Sequence, residues 1–84
     1  MSRDEVGELL ELGAGARSAG RLDEAFACAR AALDREPHRA DAWLLVGAVL
    51  LARGTFVTAA ECFTRATELA PEVALLHLLE EGAG

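Results

Sequence analysis

Apolar and polar positions recur along this chain with the spacing of an α-helix, and glycine and proline cut the pattern into five segments. Over 4–18, Leu9, Leu12 and Ala16 fall at helical spacing, with Glu5, Glu8 and Glu11 on other faces. Carboxylates near the start suit the positive end of a helix dipole. Gly20 breaks this segment. Over 22–35, Asp23 and Glu24 open a second helix, and Ala25, Ala29 and Ala32 form a seam of small residues that lets two backbones approach closely. Pro37 stands just past its end, where a helix cannot easily continue. A third helix is predicted over 40–53, closed by Gly54, and a fourth over 56–69, where Ala59, Phe63 and Ala66 repeat the seam ahead of Pro71. A fifth, shorter helix is predicted over 72–81. The short connections imply antiparallel neighbours.

The same pattern occurs twice at a period of 34. Gly13 and Gly47, Gly20 and Gly54, Ala25 and Ala59, Cys28 and Cys62, Ala32 and Ala66, and Pro37 and Pro71 are all 34 apart, as are Leu10 and Leu44, and Ala14 and Ala48. A repeat of this length is one supersecondary unit that cannot bury its apolar face alone, so neighbouring units must stack. The units are 6–39 and 40–73, within a single domain spanning 1–84. Gly13 and Gly47 are expected where the two helices of a unit cross, met by Ala25 and Ala59, with Trp43 as the wedge that fills the remaining space. All are expected to be core.

These anchors resemble the tetratricopeptide repeat, whose pattern runs Trp-x₂-Leu-Gly-x₂-Tyr, then Ala-x₃-Phe, then Pro. Segment 40–73 carries Trp43, Val46, Gly47, Leu50, Ala59, Phe63, Ala66 and Pro71. Segment 6–39 keeps the register with Leu9 for the Trp and Ala29 for the Phe. A third unit would have His77 at the Trp place and Glu81 at the Gly place, so 72–81 is expected to be a capping helix. The resemblance implies an all-α solenoid of antiparallel helix pairs, about five helices in all, that acts in protein–protein interaction. It also implies a concave groove lined by the first helix of each unit. The ligand-contacting places fall on Leu10, Ala14, Arg17 and Ser18, then on Leu44, Leu45, Ala48, Leu51 and Ala52, and in the last helix on Leu75 and Leu79, with Leu78 beside them. Family members that clamp a peptide's C-terminal carboxylates use Lys, Asn and Arg. Leu10, Ala14, Leu45, Leu75 and Leu79 occupy those places here, and none is a suitable donor.

The third helix is apolar around nearly its whole circumference from Ala42 to Ala52. Helix neighbours can cover three of its sides. On the fourth, Leu44, Ala48 and Leu51, with Leu10, Leu75 and Leu78, are expected to form an exposed apolar stripe, the mark of a partner site or an oligomer contact. The expected ligand is an amphipathic helix or apolar segment of another protein. Two alternatives stand beside it: a small bacterial secretion chaperone of the same repeat type, and a self-assembling structural unit.

Composition narrows the remaining classes. The apolar share is 52%, rich in Ala and Leu, which is helical composition. All eight basic residues are Arg, and the net charge is −6. No basic stripe exists to collect phosphates, which argues against nucleic acid and against an anionic membrane surface. The all-Arg usage suggests a GC-rich bacterial genome. Neither a secretory h-region nor a span of about 20 apolar residues is present, which points to the cytoplasm. His38 and His77 lack metal-ligand spacing to any Cys or carboxylate, no Gly-rich phosphate loop occurs, and no imidazole stands beside Cys28 or Cys62. An enzyme and a cofactor are therefore not expected. The two cysteines, one repeat apart on stacked helices, are expected as buried apolar thiols too distant for a disulfide.

Overall fold

A computed structural model describes residues 4–72. Four α-helices occupy them: α1 (Glu5–Ser18), α2 (Leu22–Arg35), α3 (Ala40–Ala52) and α4 (Phe56–Leu69). Their ends fall within one residue of the sequence expectation. The fifth helix expected over 72–81 lies outside the described residues beyond Glu72, so the helices here number four. α1 packs on α2 and α3 on α4, making two helical hairpins, and α2 packs on α3 to join them. α1 also touches α3, whereas α2 and α4 do not meet.

Both hairpins turn by the same device. Gly20 takes φ +83° and Gly54 takes φ +82°, the left-handed conformation that Gly adopts without steric cost. After α1, the Gly20 N–H donates to the Arg17 carbonyl at 3.0 Å and the Arg21 N–H to the Ala16 carbonyl at 2.8 Å. After α3, Gly54 donates to Leu51 at 3.0 Å and Thr55 to Leu50 at 2.9 Å. This paired 5→2 and 6→1 pattern is a Schellman cap, and it satisfies carbonyls the helix end would leave bare.

The core is built from small residues. Ala25, Ala29, Ala32, Ala42 and Val49 are fully buried, with Val6, Leu10, Leu45, Val46 and Cys62 around them. Gly13 and Gly47 mark close crossings, as expected, but their neighbours differ. A Cβ at Gly13 would lie 2.6 Å from Cδ2 of Leu45, 3.1 Å from Cβ of Cys28 and 3.4 Å from the carbonyl oxygen of Ala25. A Cβ at Gly47 would lie 2.9 Å from Cε1 of Phe63, which takes the place expected for Ala59. In the first unit Ala29 stands where the second has Phe63, and a side chain from α3, Leu45, reaches Gly13 instead.

Three further expectations are corrected. Leu12 is 65% exposed, whereas its equivalent Val46 is 5% exposed. Val46 sits where α2 covers α3; on α1 no described helix packs against that side. The apolar face α1 turns inward is Val6, Leu10, Gly13 and Ala16. Trp43 is half-buried at the edge of the core, its indole N–H donating to the Pro37 carbonyl at 2.9 Å. Cys28 is half-buried and Cys62 buried, and both are free thiols. Burial, then the charge of Glu61, pushes the Cys62 thiol above its ordinary pKa.

Candidate functional site

The side of α1 and α3 not used for hairpin packing forms the concave face. Of the groove places expected there, Leu10, Leu44 and Leu45 are buried, with Leu44 only 6% exposed. Ala48 and Arg17 are half-buried, and Ala14 is exposed. Leu51 is 50% exposed. The expected exposed stripe is therefore corrected at Leu10 and Leu44. α3 is the central helix, held by α2, α4 and α1 together, and Leu44 and Leu45 are used in that packing. What the expected groove places offer to solvent is Ala14, Ser18, Leu51 and Ala52, with part of Arg17 and Ala48. Leu75 and Leu78 lie outside the described residues.

Beside these residues runs an open cleft of about 650 Å³ between α1 and the start of α3. Leu10 and Ala14 line it, and so do the carboxylates of Asp4, Glu8, Glu11 and Asp41. Arg39 closes its end. The Arg39 guanidinium contacts Asp4 at 3.1 Å, Asp41 at 3.0 Å and Glu36 at 3.2 Å. One cation thus ties the start of α1, the turn after α2 and the first turn of α3. Asp4 is also the N-cap of α1, accepting from the Gly7 N–H at 3.0 Å. The Arg39 hydrogen bond, with the Gly7 bond second, holds the Asp4 carboxyl below the ordinary carboxylate range. The Arg39 pKa is raised further by the same contacts, that with Asp4 first.

The repeat comparison could not find this hub. Arg39 is equivalent to Val73, Asp41 to Gly7 and Asp4 to His38, so none of the three recurs. The one local signal is the Asp4-x-x-Gly7 cap at the head of an apolar run. The Asp23–Arg53 ion pair, which ties the start of α2 to the end of α3, is likewise unique to one unit, with Val57 and Ala19 at the equivalent places.

Among the described residues no group of three or more His, Cys, Asp or Glu side chains could hold a metal ion. No described helix is long and apolar enough to cross a membrane.

Comparison with known proteins agrees with the geometry. One human protein, Superkiller complex protein 3, is 41% identical over 54 residues, which cover 64% of this chain and 4% of that protein. The chain thus spans a small fraction of that relative's length. A model described as tetratricopeptide repeat matches residues 16–81. Two helical hairpins in one 34-residue register, closed by the same cap, and this match over most of the sequence show that the chain belongs to the tetratricopeptide repeat family.

Proposed function

We infer that the chain is a protein–protein interaction module whose concave face, between α1 and α3, receives a segment of a partner protein. The family acts in protein–protein interaction. The observation that supports the finer reading is the cleft itself: Leu10 and Ala14 line it together with Asp4, Glu8, Glu11 and Asp41, and Ala48 and Leu51 of α3 are open to solvent as well. An amphipathic helix with one apolar and one basic edge fits that arrangement. Its apolar edge covers small side chains, and its Lys or Arg residues meet the negative potential of a wall in which Arg39 offsets only part of the charge. Of the two ligands expected from the sequence, an amphipathic helix or an apolar segment, the acidic wall favours the amphipathic helix.

A synthetic helical peptide with leucines on one face and lysines beside them tests this reading. Amide shifts on titration should concentrate on Ala14, Ala48 and Leu51. Ala48→Glu and Leu51→Glu, both at solvent-accessible places, should each weaken binding about tenfold. Shifts confined to α2 and α4 would sink the proposal.

A further inference from the structure

On the opposite side of the molecule α2 and α4 stand apart, and α3 forms the floor between them. The gap is a cavity of about 390 Å³, floored by Trp43, Val46 and Leu50, with Phe26 and Leu33 on one wall and Cys62 on the other. That volume and apolar lining fall in the range of ordinary binding pockets. Arg30 and Asp34, one helical turn apart on α2, edge it. Both are exposed, and neither has an ion-pair partner among the described residues.

We propose that this face is a two-fold interface with a second copy of the chain. The argument is charge complementarity under symmetry. A two-fold axis crossing α2 level with Ala32 lays the two α2 helices antiparallel, so Arg30 of each copy meets Asp34 of the other. Positions 26 and 38 are equally far from that axis. The Phe26 ring of each copy, packed on its own core with Arg53 over it, thereby lies level with the turn that follows the other copy's α2. Between the charges α2 presents Ala31, and one turn before Arg30 it presents Ala27, both small enough for two helices to approach closely. The net charge of −6 opposes association, so the two local ion pairs and the apolar burial hold the dimer.

Sedimentation equilibrium on the full chain tests this, with circular dichroism to confirm that each variant keeps its helices. The native chain should show a concentration-dependent dimer. Arg30→Asp and Asp34→Arg should each weaken self-association about tenfold, because each turns two attractive pairs into two repulsive ones. An equimolar mixture of the two variants should restore dimers, since every pair is then opposite in sign, and so should the double exchange in one chain. The single Trp43 lets the same series be followed by fluorescence. A native chain that stays monomeric at its highest soluble concentration overturns the proposal. So does a dimer that ignores both single changes, one that the mixture fails to rescue, or one lost with Leu51→Glu instead.

Discussion

A methyl group added at Gly47 would lie 2.9 Å from the Phe63 ring, whereas one added at Gly15 would meet nothing within 4 Å. Both residues lie inside helices, where Ala is favoured over Gly by about 1 kcal/mol. Gly15→Ala should therefore raise the unfolding free energy by about 1 kcal/mol, read from a urea transition. Gly47→Ala should lower it by about 1–2 kcal/mol, because a ring wedged between two helices cannot yield cheaply. Gly13→Ala should fall between them, since the nearest atom is a methyl at the end of Leu45. The repeat made Gly13 and Gly47 legible as crossing points. It left Leu45 and Phe63 unread as their neighbours, because equivalence between the units fails where Ala29 replaces the aromatic. The thiols differ as well. Iodoacetamide should modify half-buried Cys28 well before Cys62, whose burial both shields it and disfavours the thiolate. Mass spectrometry of the partially labelled chain reads this order.

At the scale of elements, helix ends were the most legible feature, because Gly20, Gly54, Pro37 and Pro71 act through their own backbone and need no partner. Which face each helix buries was less legible. Leu12 is as apolar as Val46, and only the presence of α2 against α3 distinguishes them. The concave leucines were misassigned for a related reason: a helix apolar all round does not announce which side its neighbours will cover. The Arg39 hub was invisible to pattern, since Glu36 and Asp41 flank Arg39 in the chain but Asp4, which completes it, lies 35 residues away. It carries a prediction. The folded-state pKa of Asp4 lies below its usual value of 3.8. Its stabilising contribution is therefore complete above that value and is lost as pH falls through the folded-state pKa. Thermal melts of the native chain should drop across that acidic interval. Asp4→Asn, which keeps an N-cap but loses the ion pair with Arg39, should flatten the drop while leaving α1 formed.

At the scale of the whole molecule the two large surfaces differ in chemistry: an acidic, concave side along α1 and α3, and an apolar cavity behind Trp43. The sequence led to an apolar groove along α1 and α3, where the structure has a cleft edged by carboxylates; the cavity depends on the spacing of α2 and α4, which no local pattern records. One feature joins both sides. α3 belongs to the second hairpin by sequence and to both by packing, because α2 covers one flank and α4 another. In a linear array of units, stability is the sum of each unit and its coupling to the next. Here the coupling surface is a whole face of the central helix, so neither hairpin can melt and leave the other its core. Hydrogen exchange should find the slowest amides in α3, near Val46 and Val49, and Val49→Ala should loosen α1 and α2 as much as α4. Most contacts are also local in sequence, and such topologies fold fast. The short-lived open state this implies would close as a unit, limiting the time for which its apolar interior meets other chains.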